Sequence, residues 1–305
     1  MTKQLAMDIE HFQWAITATG LAAPDVIHDD GAIHRFSPSG RRGDKSGWYV
    51  IRTDAIAAGA FGDWRAGFQS TWCAKLDSTM TPAELDTHRQ RIKAMRAQRD
   101  ADEADLRKHE AQKAVTRWQA ASTPGEHPYL SLKGIGACGS RQDGQTLLIP
   151  LRDTAGRLHS LQTITPDGEK RFKGRMKGCY HAMGKPVDRL VIAEGFATGV
   201  TIHEATGWPV AVAFNAGNLE LVATALHKAY PALTLVIAAD DDHLTPGNPG
   251  MTAAKQAALA VGGFVVAPRF PLDRPHKATD FNDLAALAGF DAVRACFFEI
   301  EEFVC

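Results

Sequence analysis

Two stretches decide how this chain folds: RLVIAEGFATG (189–199) and LTLVIAADDD (233–242). Each holds an unbroken apolar run rather than an alternating one, which is the pattern of a strand buried on both faces, as in a parallel sheet. PVAVAFNAG (209–217) and GFVVAPRF (263–270) repeat it. Between the runs lie helix-like segments, ATGVTIHEAT (197–206), NLELVATALHKAY (218–230) and GMTAAKQAALAVG (250–262). This β-α-β-α order predicts a doubly wound α/β domain with right-handed crossovers.

In an open parallel sheet, functional groups gather just beyond the carboxyl ends of the strands. Acidic residues occupy three such places here: Glu194; the run Asp240, Asp241, Asp242; and Asp280 with Asp283 in KATDFNDL (277–284). Two like charges about 4 Å apart repel by roughly 4 kcal/mol at an effective dielectric near 20. A cluster of this kind persists when a divalent cation neutralises it or when some members keep their protons. Hard oxygen ligands suit Mg²⁺, with Mn²⁺ as the alternative, and such ions serve in-line phosphoryl transfer. In a near-extended segment Asp240 and Asp242 point the same way and Asp241 points elsewhere. For Asp241 and Asp283 a helix cap or a watered loop position is an equal reading.

Upstream, the texture changes three times. Residues 1–80 read as an α+β N-terminal domain, with short strands in AIHRFSPSG, SGWYVIRTD and AGAFGDW. Residues 81–121 read as a long charged helix. It starts at Thr81-Pro82-Ala83-Glu84 and carries a thin apolar stripe of Leu85, Ile92, Met95, Leu106, Val115 and Trp118, with Arg99 breaking any heptad. Residues 122–186 read as a small basic β-rich subdomain, a meander of TLLIPLR, RLHSLQTI and KRF joined by turns. Residues 187–305 form the α/β domain. Within the meander, Lys170, Arg171, Lys173, Arg175 and Lys177 make a run able to track a phosphate backbone. Arg152 is suited to bidentate contact with a triphosphate. Trp48, Trp64 and Trp72, with Phe61 and Phe68, serve as a small core or as a platform for single-stranded bases, the core being the favoured reading. Asn218 reads as a helix N-cap.

The combination of VIAEGFATG (191–199) with VIAADDDHLTPGNPGMTAAKQAA (236–258) resembles the Toprim domain of bacterial-type primases, topoisomerases and some nucleases. The resemblance implies a Rossmann-like parallel sheet over about residues 187–290. It implies Glu194 as an acid/base or metal-associated carboxylate, Asp240 and Asp242 as metal ligands, and Asp280 as a further acidic contributor. HPYLSLKGI (127–135), TLLIPLRDTAGRLHSLQTI (146–164) and GEKRFKG (168–174) are similar to the segment leading into Toprim in phage and plasmid primases. That segment grips template and nucleotide phosphates in the wider family. The implied function is a primase of a mobile element, making short oligonucleotide primers on single-stranded DNA from nucleoside triphosphates by metal-dependent nucleotidyl transfer. A separate helicase or replication initiator is its implied partner. A Toprim nuclease and a catalytically idle DNA-binding adaptor are the competing readings. One departure from the replicative primases stands out: the position four residues after the Glu, often acidic there, is Thr198.

Composition sets outer limits. The 305 residues carry a formal net charge of −1, so nucleic-acid contact must come from local basic patches. The five cysteines, Cys73, Cys138, Cys179, Cys296 and Cys305, form no C-x-x-C pair, which argues against a zinc ribbon. No Walker-type loop is present. The opening lacks a secretory pattern and no apolar run reaches membrane-spanning length, so a cytoplasmic protein with no membrane partner is expected.

Overall fold

Phe36, Tyr49, Ile51 and Phe61 are buried on one face of a sheet, and the helix that covers that face comes first in the chain. The computed structural model describes residues 3–54, 56–75 and 81–301. It divides into two compact units, Met1–Ala101 and Asp102–Cys305. In the first, α1 (Lys3–Ala18) precedes β1 (His34–Phe36), β2 (Gly47–Arg52), β3 (Ala58–Asp63) and β4 (Phe68–Cys73), an antiparallel sheet in chain order. Phe12 and Ile16 of α1 are fully buried against Tyr49, Ile51 and Phe61. The Phe12 ring meets Tyr49, Phe61 and Trp72 edge-on, an arrangement favoured by the aromatic quadrupole. The fourth strand is not among those read from the sequence, because FQSTWC lacks a clean alternation; its pairing with β3 specifies it.

The charged helix forms as expected. α2 (Pro82–Ala120) runs 39 residues, and the division between units falls within it. Its apolar stripe acts mainly near its end, where Ala114, Val115 and Trp118 pack on Leu148, Leu158 and Leu161. Cys305 and the side chains of Glu84, Leu85, Met95 and Arg99 lie outside the described residues.

The second unit continues with α3 (Pro128–Lys133) and the antiparallel meander β5 (Arg141–Asp143), β6 (Thr146–Arg152), β7 (Leu158–Ile164) and β8 (Lys170–Gly174). Then follow β9 (His181–Met183), β10 (Arg189–Ala193), α4 (Phe196–Thr206), β11 (Val210–Val212), α5 (Ala216–Ala229), β12 (Thr234–Ala238), α6 (Pro249–Val261), β13 (Phe264–Val266) and α7 (Phe281–Glu301). The last sheet has the order β13-β12-β10-β11-β9. Its four predicted apolar runs are parallel, and β9 joins antiparallel to β11 from before residue 187. Strand β10 buries Val191 and Ala193 with residues of α4 and α7, and Leu190 and Ile192 with those of α5 and α6. Both faces are thus covered, which is why these strands read as continuous apolar runs. No helix among the described residues is long and apolar enough to cross a membrane.

Asn218 corrects an expectation. The N-cap of α5 is Asn215, and Asn218 lies in the first turn, buried. Its amide donates to the carbonyls of Ala213 (2.8 Å), Cys179 (3.0 Å) and Met176 (3.3 Å) and accepts from Gly178 N–H (2.8 Å). It straps the segment after β8 onto the end of β11. Leaving buried polar groups unpaired costs about 1–3 kcal/mol each. Asn218→Ala is therefore expected to destabilise the protein by about 2–4 kcal/mol, measured as a lowered urea midpoint.

Candidate active site

The order β12-β10-β11 places a topological switch point at β10, since the chain leaves that strand for one side and returns on the other. Residues pair in register up to Ala193 and Ala238 on adjacent parallel strands. Glu194 and Asp240 therefore emerge at the same sheet edge from neighbouring strand ends. The loop after β12 turns back into α6, whose N-cap Asn248 accepts from Asp242 N–H (2.9 Å). Gly250 N–H donates to Asp242 Oδ2 (3.0 Å). A methyl group on Gly250 would stand 2.9 Å from that oxygen and 3.0 Å from the Asp240 Cβ, so Asp240 and Asp242 both border this residue. Asp241 points elsewhere, as the alternation predicts. Arg274 donates to its Oδ2 (2.5 Å) and to its carbonyl (2.9 Å). Against its burial, the Arg274 guanidinium and Asn248 hold its carboxyl below the usual range.

Asp280 does two things. One oxygen caps α7 by accepting from Asp283 N–H (2.8 Å), and the other accepts from Thr198 Oγ1 (3.1 Å). Asp283, at the third helical position, closes a capping box by accepting from Asp280 N–H (3.4 Å) and also accepts from Thr279 N–H (2.8 Å). Thr198, at the position where an acid is common, supplies a hydroxyl that anchors Asp280 instead.

These carboxyls share one field. Burial, then Glu194, Asp280, Asp242 and Asp283, push the Asp240 carboxyl from 3.8 up to about 8. Its Oδ1 is buried with no hydrogen-bond partner among the described residues. Burial and Asp242 also raise Glu194, opposed by Ala216 N–H at the start of α5 and by Lys170. Burial and Asp283 raise Asp280. Among the described residues no three His, Cys, Asp or Glu side chains enclose an ion by themselves. An all-oxygen set of this kind suits a cation that keeps several waters and takes its remaining ligands from substrate phosphates.

The basic run splits in two, because successive strand residues face opposite ways. Lys170 shares a face of β8 with Phe172, which packs edge-on against Phe214 beyond β11 (5.7 Å). Burial and Lys133 lower the Lys170 ammonium, while Asp280, Asp240 and Glu194 favour its charge. Arg171 pairs with Glu169 (2.9 Å), and Lys173 lies near Glu110 of α2. Lys173, Arg175 and Lys177 border a groove of about 850 Å³ whose other wall is Glu103, Arg107 and Glu110. Arg152 donates to Gly156 O (2.9 Å) and lies 5.9 Å from the Trp118 ring, so it serves the meander's turn, and among the described residues it makes no hydrogen bond to an acid of the cluster.

Two residues near the cluster escaped the sequence reading. Lys133 at the end of α3 acts on Asp280 and Lys170. Tyr129, at the start of α3, is buried, and its hydroxyl has no partner among the described residues. Burial and the Asp280 charge push that hydroxyl up to about 12. The Lys170 ammonium stands 5.8 Å from the Tyr129 ring. Both residues belong to HPYLSLKGI, a segment whose family resemblance singled out neither of them.

Residues 189–291 match the family model described as a Toprim domain. The C-terminal sheet of this chain is a Toprim domain. Two Escherichia coli proteins named DNA primase TraC are similar to it and to the residues before it. One is 39% identical over 259 residues, 79% of this chain and 24% of that protein. The other is 35% identical over 304 residues, 91% of this chain and 20% of that protein. This chain therefore spans a quarter or less of the length of the curated relatives it matches. Among solved structures, the primase fragment of the bacteriophage T7 primase-helicase protein is similar over 58% of this chain and 80% of that one, at 15% identity and a TM-score of 0.44. The matched Toprim span includes Glu194, Asp240, Asp242 and Asp280; Tyr129, Lys133, Arg152 and the basic run precede it. Toprim-domain primases generally use divalent metal ions.

Proposed function

We propose that this chain is a catalytic portion of a mobile-element DNA primase that joins nucleoside triphosphates into short primers on single-stranded DNA. The observation that carries this reading is the shared acidic field at the ends of β10 and β12, with an unpartnered buried oxygen on Asp240. The similarity to plasmid primases over most of the chain supports it.

Glu194, Asp240, Asp242 and Asp280 are the residues that would hold Mg²⁺ or Mn²⁺. Such an ion neutralises charge on a transferring phosphate and polarises its oxygens. In the reaction, the 3′-hydroxyl of one nucleotide attacks the α-phosphate of the next, and pyrophosphate leaves. Burial and Asp242 raise the Glu194 carboxyl against the pull of Ala216 N–H and Lys170, and Glu194 would accept the hydroxyl's proton. Lys170 and Lys133 would meet the triphosphate. Residues 122–186 would grip the template through Arg171, Lys173, Arg175 and Lys177, with Arg152 bracing the β6–β7 turn. A helicase or replication initiator would deliver the template.

The test is primer synthesis on single-stranded templates with Mg²⁺ or Mn²⁺, comparing ribonucleotides with deoxynucleotides. The expected result is labelled product that requires template, nucleotides and metal together. Degradation of labelled template without nucleotides would instead establish a nuclease.

A further inference from the structure

The N-terminal sheet has a second face that α1 does not cover. Because strand side chains alternate, Phe36, Tyr49 and Phe61 turn toward α1, while Arg35, Trp48, Gly62 and Gln69 form one transverse row on the opposite face. Trp64, in the turn after β3, stacks on Trp48 with centroids 5.5 Å apart and planes inclined by 25°. Trp48 is buried beneath it, whereas Trp64 keeps 50% of its surface exposed. The Arg35 guanidinium lies 3.8 Å from the Trp64 ring centroid. The Trp48 indole reaches over Gly62, which is buried. A methyl group on Gly62 would stand 2.9 Å from Trp48 Nε1 and 2.2 Å from Phe68 O, so a side chain is excluded there.

Charge gathers at the same end of the sheet. Gly47 pairs with Asp63, which brings the β1–β2 connection and the β3–β4 turn together. They carry exposed Arg41, Arg42, Lys45 and Arg65 beside Arg35. The two acids among them are already engaged: Asp44 with Ser39, Ser46 and Arg65, and Asp63 with Arg65 N–H. The opposite edge, at β4, borders a groove of about 490 Å³ lined by Trp72, Arg89, Lys93 and Arg96. In a chain of net charge −1, such a gathering of cations around an exposed indole is a local design rather than a general surface property.

We propose that this face of the N-terminal unit is a binding site for single-stranded nucleic acid, separate from the Toprim site and independent of metal. A base stacks on Trp64, and Arg35, Arg41, Arg42 and Lys45 meet the phosphates. Single strands are favoured over duplex because only an unpaired base exposes its π-face to an indole, and cations complement phosphate as they would no apolar partner.

The test uses the full chain in EDTA, so that no divalent ion loads the Toprim site. Fluorescence anisotropy measures binding to a labelled oligothymidylate and to a duplex of the same length. Trp64→Ala should weaken oligothymidylate binding about 5-fold or more, the worth of one base stack, while Trp64→Phe keeps most of it. Arg41→Ala/Arg42→Ala should flatten the salt dependence. Lys173→Ala/Lys177→Ala tests the basic run in the same assay. Wild-type binding by both Trp64→Ala and Arg35→Ala, equal binding of duplex, or loss confined to the Lys173→Ala/Lys177→Ala protein would overturn the proposal. If Trp64→Ala fails to fold by circular dichroism, Trp64→Phe with Arg35→Ala decides: full retention by the double variant overturns the proposal and loss supports it. Trp64-dependent binding by a protein that makes no primers would sink the catalytic reading and leave this one standing.

Discussion

Asp240→Asn is expected to lower primer synthesis on the order of 10³-fold while raising the melting temperature of the metal-free protein. The two effects have one cause. Asp240 is half-buried in the field of Glu194, Asp280, Asp242 and Asp283, and its buried Oδ1 has no hydrogen-bond partner among the described residues. The folded carboxyl titrates near 8 rather than at 3.8, so between those values the folded protein holds a proton that the unfolded chain has released. Where the folded state binds more protons, stability falls as pH rises. Below about pH 4 the full stability is present; it declines toward pH 8 and then levels off. The raised carboxyls of Glu194 and Asp280 add slopes of the same sign. Asparagine keeps the shape, removes the charge and should flatten that decline. Calorimetry across this pH range in EDTA, then with Mn²⁺, checks it: the ion should stabilise the wild type at high pH and the variant much less. A wild-type melting temperature that is flat with pH and insensitive to Mn²⁺ would contradict the electrostatic account of the site.

Gly250→Ala should reduce kcat/KM about 100-fold without unfolding the protein. The added methyl would lie 2.7 Å from the Asp240 carbonyl oxygen, 2.9 Å from Asp242 Oδ2 and 3.0 Å from the Asp240 Cβ. A backbone oxygen cannot swing aside as a long side chain can, so the 240–242 turn must move relative to α6. A displacement near 1 Å in a catalytic arrangement costs about 100-fold. Gly250 lies in the first turn of a helix and has no left-handed φ, so contact alone is tested, not backbone strain. Gly125→Ala, where a methyl meets nothing within 4 Å, is the matched control. Wild-type kinetics for Gly250→Ala would show that the acidic turn tolerates movement and does not set the geometry of the reaction.

The doubly wound sheet was legible because its evidence is local. Continuous apolar runs such as LVIA and TLVIA can be satisfied only by burial on both faces, and the helices between them supply it. The meeting of Glu194 with the 240–242 turn was also legible, since parallel strands in register bring their carboxyl ends to one edge. The alternation that turned Asp241 away from its neighbours held, and Arg274, 33 residues on, received it.

Other features depended on neighbours far along the chain. Asn218 looked like a cap because its partners, the carbonyls of Met176 and Cys179, lie about forty residues upstream. Lys170 and Arg171 looked equivalent as charges, but only one faces the acids, because packing of Phe172 on Phe214 orients β8. Tyr129 and Lys133 carried no chemical signal until α3 was set near Asp280. Thr198 read as a missing acid, and its contact 82 residues away makes it an anchor. Hydrophobic period and strand polarity are properties of short segments, so the order of residues was enough to establish the sheet and its acidic edge. Which charge answers which depends on distances between segments, and those exist only once the chain has closed on itself.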